Sequence, residues 1–542
     1  MRLFFPSLFV AAALVCATIS PSAHAQSRYD EFTKAAAAGP HMRLAAATYF
    51  GSPDGEEFVG GGALADGNIL AAGNLTGPAV PAAGKTIRLG TGTRRDLDPY
   101  LYKEKANSRR ANGEFHPDNP DLAGFFVVFA PDLSEARRLI RFDWGVASVS
   151  AAQVGADGKS VILAGRATPA FRELDGVKVL PCGDARWEYG EVDLPADVFI
   201  ARLSAADGRV EWAHVLAGAG APPRKLWSGA AGEIFLPAGG LHVVSADGRA
   251  LRRVSERADE GQGRWVGINP RGGHAYFGGD RNTRTNKEPW RQPFVLEHDL
   301  QGQLLQRFWE ATPKEVGSDA GGLESDSSVR AVAFRPDGNA VVLGWSDGGN
   351  SIFTRQVGDW HTEGVADAAL GMSPWGMKSA NSLGHLMLVD FAKGRTLAHA
   401  WFAAFLPANF VDVRARNAPN HVSFEDLELL PGDAIATCGA AASGLIQTPG
   451  AFRPDPGDGE KYGGSFLSVF APDLSRLMFS SYLPGSGTPH LVAHPRGLLV
   501  FSRTRSDDGR TPPSALPANT AQKHAGGATD GHLMLLELPQ AH

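Results

Sequence analysis

Seven residues, VFAPDLS, occur at Val128–Ser134 and again at Val469–Ser475. The surroundings repeat as well: GFFVVFAPDLSEARRLIRF in the first copy, GSFLSVFAPDLSRLMFSSYL in the second. Each is an apolar run, a Pro-Asp turn and a second apolar run, which is the pattern of a β-hairpin. Comparable hairpins lie between them, among them DVFIARLSAADGRVEWAHVL, LHVVSADGRALRRV, PFVLEHDLQGQLLQRFW and GHLMLVDFAKGRTLAHAWF. A phrase repeated this far apart constrains the chain to a repeat architecture, so the period matters more than the length.

A second kind of hairpin alternates with the first. Its leading strand is rich in small residues, and its second strand often ends in Gly: FVGGGALADGNILAAGN, VSAAQVGADGKSVILAGR, VRAVAFRPDGNAVVLGW and FEDLELLPGDAIATCGA. Together the two hairpins give four strands per unit, a, b, c and d. The sequence holds seven a–b hairpins and six complete c–d hairpins. The seventh c strand is Gly531–Leu538, and the unmatched d strand is Arg43–Tyr49 at the other end. If the two VFAPDLS copies sit in units one and six, the period is about 68 residues; seven units need about 480 of the roughly 500 residues beyond Met42. The expected fold is all-β: a seven-bladed β-propeller over 43–538, four antiparallel strands per blade, closed by the N-terminal strand d pairing with the C-terminal strand c. Closure of this kind leaves only short protected edges. Crowding of inner strands at the axis accounts for Gly60-Gly61-Gly62-Ala63 and Ala151-Ala152.

Charge and targeting narrow the function classes. Lys and Arg number 52 against 58 Asp and Glu, a net charge of −6. No basic stripe calls for nucleic acid or an anionic membrane. Residues 1–25 read as a signal peptide: Arg2, an apolar run over Leu3–Ala17, then Ala23-His24-Ala25 before a cleavage at Gln26. The apolar run is too short for a comfortable membrane span, and no second long one follows. The expectation is an exported monomer, periplasmic or extracellular, with no transmembrane segment after cleavage. The mature chain keeps Cys182 and Cys438. Export permits a disulfide between them, but two cysteines make no framework for a chain this long, and the expectation is two unpaired or buried thiols.

Thr48–Leu75 (TYFGSPDGEEFVGGGALADGNILAAGNL) resembles the bacterial SBBP-type repeat of seven-bladed propellers, and Ile446–Gly487 resembles it more closely, with TPGAF at Thr448–Phe452 in the place of the family's b–c segment. The resemblance implies a secreted propeller. It brings no catalytic residues, because the family is defined by its fold.

Strand order puts the a–b and c–d turns on one face and the b–c and d–a loops on the other. The long insertions all fall between b and c: Thr76–Ala123, Pro169–Pro195, Ser346–Gly384, Ala441–Gly463 and Thr504–Asp530. Loops built out on a rigid scaffold commonly carry function. This loop face holds the candidate ligand-binding residues Trp187, Tyr189, Trp290, Trp360, His361 and Trp375, with Tyr100 and Tyr102 beside them. Aromatics there suit stacking on a glycan or a protein partner. Equally, they can staple the loops onto the ring. The channel is the other candidate, with Glu56, Glu57, Lys225, Arg264, Asp326, Glu425, Asp426 and His490 near the starts of the inner strands. Glu425, Asp426 and His490 would be the catalytic set of a lyase or hydrolase, unless these groups only satisfy one another.

Other motif matches fail on context. Ala79–Thr86 (AVPAAGKT) lacks the helix that a phosphate loop opens. Gly344–Gly348 (GWSDG) ends a strand without the strand–turn–helix of a nucleophile elbow. There is no CxxCH or HExxH. No cofactor is predicted. Asp455–Gly459 (DPGDG) leaves a loose calcium loop possible, too short for an EF-hand. The sequence therefore reads as a binding or scaffolding module, with channel catalysis the alternative.

Overall fold

The computed structural model describes residues 42–53, 55–77, 81–89, 122–142, 146–189, 192–256, 262–282, 291–309, 326–346, 352–363, 383–402, 422–441, 445–453, 464–484, 486–505, 520–522 and 529–538. The fold is all-β, a propeller-like arrangement of small antiparallel sheets. Among the described residues, α-helix is confined to the single turn Pro169–Arg172.

Four sheets follow the chain as four-stranded meanders. Their inner strands are Trp227–Ser228, Gln262–Ile268, Ser327–Phe334 and Val422–Leu429, and their outer strands are Leu251–Glu256, Leu304–Phe308, Arg395–Phe402 and Leu477–Tyr482. A fifth sheet joins both ends of the chain. Ser486–His494, Gly497–Arg505 and Thr529–Glu537 are followed in the sheet by Arg43–Phe50, in register from Arg43↔Glu537 to Phe50↔Gly531. The sixth is a ten-stranded sheet. It holds two sets of four strands, those of the first two a–b and c–d hairpin pairs, which the sequence pattern leads one to expect as separate blades.

The fusion has a local cause. Gly60↔Ala152 and Gly61↔Gln153 pair in parallel across the two inner strands, Glu56–Ala63 and Val146–Val154. A Cβ on Gly60 would lie 2.5 Å from the carbonyl oxygen of Ala152, and Gly60, Gly61 and Gly62 all have φ near +150° (151°, 154° and 154°). Only glycine holds that backbone at such an approach. Insertion strands extend the outer edges in parallel: Lys85–Leu89 on Ala136–Phe142, and Val177–Pro181 on Val210–Ala217. The GKT stretch thus runs into a strand rather than a helix.

The two VFAPDLS copies adopt one geometry. Leu133 and Leu474 take φ of 58° and 61°, and both are fully buried. Their N–H groups donate to Ala130 and Ala471 at 3.0 Å. Ser134 and Ser475 donate backbone N–H bonds of 3.1 and 3.0 Å to Asp132 and Asp473. A left-handed leucine is unfavourable by roughly 1–2 kcal/mol; burial of its side chain under the c–d hairpin offsets that. Aromatic packing then joins neighbouring sheets: Phe50, Phe58, Phe125, Phe129 and Phe501 form one such layer, and Phe402, Phe424, Phe466 and Phe470 another.

Candidate functional site

Inner strands recur with a β-bulge in one place. Register skips a residue between Phe58 and Gly60, Val149 and Ala151, Gly263 and Trp265, Val329 and Ala331, and Phe424 and Asp426. The partner strand carries a glycine opposite the residue before the skip: Gly73, Gly165, Gly279, Gly344 and Gly439. A Cβ on Gly73, Gly165 or Gly439 would fall within 2 Å of the bulged strand's carbonyl oxygen, at 1.7, 1.9 and 1.9 Å. That is why the b strands end in Gly. Bulges re-aim side chains and collect near sites. After the bulge stand Gly60, Ala151 and Ala331 in three strands, but Trp265 and Asp426 in the others.

Beyond the bulges a cavity of 810 Å³ occupies the axis. It is lined by the later halves of the inner strands, from Val59–Ala65, Ala152–Gly158, Trp265 with Gly267 and Ile268, Ala331–Phe334, Asp426–Leu429 and His490–Ala493, together with Arg224–Ser228. The lining includes the a–b turn residues Leu64, Ala65, Asp157 and Gly158 and omits the strand starts Glu56 and Glu57. The cavity therefore faces the trimmed side of the sheets.

Its floor is a charged cluster. Lys225 precedes the two-residue strand Trp227–Ser228 and crosses to other sheets. Its Nζ donates to Asp426 Oδ1 at 3.0 Å, Glu428 Oε2 at 2.8 Å and the carbonyls of Leu427 and Leu491 at 2.9 and 3.3 Å. Asp426 also accepts the N–H groups of Leu427 (2.7 Å) and Leu491 (2.8 Å). Arg224 Nη1 donates to Glu425 at 2.6 Å, and Ser423 Oγ donates to the other Glu425 oxygen at 3.0 Å. Burial works against the Lys225 charge, yet Asp426 and Glu428 outweigh it and hold the ammonium well above its ordinary value. Burial raises Glu428 despite Lys225. Burial also lowers His490 to about 4, so its ring is neutral, and among the described residues it makes no hydrogen bond.

Of the catalytic set read from sequence, the structure brings Asp426 and His490 to the cavity, while Glu425 is held beside it by Arg224. Both Asp426 oxygens are occupied. Glu56 is fully buried and accepts from Ser52 N–H at 3.0 Å. Glu57 accepts from Asn74 at 2.8 Å and Arg503 at 3.2 Å, and Asp326 accepts from the Arg291 N–H at 3.0 Å. The side chain of Arg264 lies outside the described residues. Sequence reasoning missed Glu428 and Trp227 as cavity residues; the signal available was their place in inner strands beside Asp426 and Lys225.

On the loop face, Trp360 corrects an expectation. It is only 9% exposed and belongs to the core with Phe353, Trp309 and Val357. The insertion hairpin Arg355–Gln356/Asp359–Glu363 lies down on the sheet and takes the indole with it. His361 is exposed and lies against Trp360 with its ring tilted 32° and the centroids 3.9 Å apart. Trp187 and Tyr189 lie in a hairpin, Arg186–Tyr189 with Val192–Pro195; their side chains, and Trp290, Trp375 and Asp455–Gly459 altogether, lie outside the described residues. Ser346 of the GWSDG stretch is fully buried and hydrogen-bonded to His385 Nε2 at 2.7 Å, with His385 Nδ1 3.1 Å from His399 Nε2. Neither Ser346 nor His385 nor His399 lines the cavity. Cys182 and Cys438 are both unpaired and buried. No group of three or more His, Cys, Asp or Glu among the described residues is placed to hold a metal ion.

No protein-family model matches the chain, and no curated protein matches it. Solved structures similar to it include the following two. One, an unknown-function protein from Dyadobacter fermentans DSM 18053, is 10% identical with a TM-score of 0.42, covering 92% of this chain and 100% of that one. The other, the Pseudomonas aeruginosa periplasmic gluconolactonase PpgL, is 12% identical with a TM-score of 0.33, covering 76% of this chain and 81% of that one.

Proposed function

We propose that this chain is an exported, monomeric, SBBP-like propeller of seven blades whose loop face binds a glycan or a protein partner. Seven inner strands around one cavity support the blade count, with the fused sheet counted as two blades. The pairing of Arg43–Phe50 with Thr529–Glu537 supports closure of the ring by the N-terminal strand. Export rests on the signal-like residues 1–25. Among the described residues no helix is long and apolar enough to cross a membrane.

The observation that carries binding over catalysis is the state of the channel acids. Asp426 is saturated by Lys225 and two N–H groups, and Glu425 is held by Arg224 and Ser423. General acid–base work needs a group free to exchange a proton with a substrate, and these two are committed. The loop face, in contrast, offers an exposed His361 beside Trp360; the reading adds Trp375 from the same insertion, Trp187 and Tyr189 from Pro169–Pro195, and Trp290. A loose calcium loop at Asp455–Gly459 would brace that face without taking part.

The test is thermal unfolding of Gln26–His542 against soluble polysaccharides, peptides and calcium. A ligand of the native state raises the midpoint by mass action. The reading requires a shift with a polysaccharide or peptide that Trp290→Ala with Trp375→Ala removes. A shift with calcium alone, or one that survives both substitutions, contradicts it.

A further inference from the structure

The axial cavity makes a second site on the face opposite the long loops, and its lining selects a ligand class. Its size, 810 Å³, is that of a small-molecule pocket. The wall is apolar and aromatic: Val154, Ile268, Phe334 and Val492 with Trp227 and Trp265. The two indoles meet edge to face, centroids 6.2 Å apart. Trp265 is 2% exposed, and its Nε1 has no hydrogen-bond partner among the described residues. Glycine backbone, Gly60–Gly62, forms the wall of the fused sheet.

Charge at the floor decides between ligand classes. An anion finds no free donor in Lys225, whose ammonium already meets four acceptors, and Arg224 is paired with Glu425. A sugar needs many open polar groups, and the wall offers few: Gln153 Nε2 is already donating to Ser228 Oγ at 2.9 Å. Carboxylates outnumber bases here, Glu425, Asp426 and Glu428 against Arg224 and Lys225, with His490 neutral. Glu428 is the most exposed of the three, its side chain 24% accessible against 16% for Glu425 and 3% for Asp426. It accepts from Lys225 and from the Ala493 N–H, and a carboxylate has room for about four donors. A protonated amine would supply the missing positive charge, and the half-buried Trp227 indole would attract it as well.

We propose that this cavity binds a small organic ammonium ion, its apolar body against Trp227 and Phe334 and its head on Glu428. The site is independent of whatever the loop face binds.

Three probes of one shape test it on the mature protein: 2-phenylethylammonium, neutral 2-phenylethanol and anionic 3-phenylpropanoate. Tryptophan fluorescence and calorimetry follow binding. The expected result is binding of the ammonium ion with a Kd of about 1 mM or tighter, at least ~10-fold tighter than either relative. Glu428→Gln should erase that preference, and Ala493→Phe at the exposed rim should abolish binding of all three with the unfolding midpoint kept. If Glu428→Gln fails to fold, the ranking of the three probes on the unmodified protein and the Ala493→Phe result still decide. Equal affinity for the three, preference for the anion, or no binding of the ammonium ion overturns the proposal.

Discussion

Replacing Lys225 by Met tests the floor of the cavity most sharply. The side chain keeps its length and loses its charge. Four oxygen acceptors within 3.3 Å lose their shared donor. Asp426 is 3% exposed and keeps two backbone N–H groups; Glu428 is 24% exposed and keeps some solvent. Removing one partner of a buried ion pair is destabilising by about 3–5 kcal/mol; the donors left on Asp426 put the expectation near the lower end, about 3 kcal/mol. Urea unfolding followed by tryptophan emission measures it. The pH dependence supplies a sign. Without Lys225, nothing on that side offsets the burial that already raises Glu428, and its folded-state pKa moves further above its unfolded value. The folded variant then binds more protons than the unfolded chain, so its stability recovers as pH falls. Its deficit against the parent should be larger at pH 7 than at pH 5, and Asp426→Asn with Glu428→Gln in the same chain should restore most of it. A deficit below about 1 kcal/mol at pH 7, or one that grows with acid, would refute the reasoning.

Three further outcomes are expected. Leu474→Ala should lose about 2–5 kcal/mol for a buried leucine, and Leu474→Gly should recover about 1 kcal/mol of that loss by relieving the left-handed backbone, read by denaturant midpoints. Deleting residues 26–50 from the mature form should expose the edge of Thr529–Glu537 and yield aggregated protein, seen by gel filtration. His532 is fully buried and lowered to about 4 by that burial; the unfolded chain binds the proton first, so stability should fall as pH drops from 6.5 toward 4, with Glu57 and Glu428 opposing in part. His532→Gln should flatten that slope in thermal melts across the window.

The sequence shows features that act within one hairpin. Asp-Gly turns, the VFAPDLS turn and the Gly at the end of b strands all record a local backbone need, and they locate the sheets and the strand order within each. What it conceals depends on distant segments meeting. The parallel seam at Gly60 and Ala152 looks like crowding at the axis, because a glycine run does not say which backbone approaches it. Lys225 is visible as one of several channel charges, but its span to Asp426 and Leu491 depends on a strand of two residues, too short for any periodicity. Trp360 reads as a loop aromatic, and only the hairpin around it turns the ring inward. Asp426 was legible and its saturation was not, since two of its partners are backbone N–H groups.

Hydrogen exchange on the mature protein, with and without the polysaccharide or peptide that most raises its midpoint, tests the central claim of loop-face binding. The account predicts slowed exchange in the hairpins Arg186–Pro195 and Arg355–Glu363, with Asp426–Leu429 and His490–Ala493 unchanged. Protection confined to those inner-strand segments would contradict it and move the ligand to the axis.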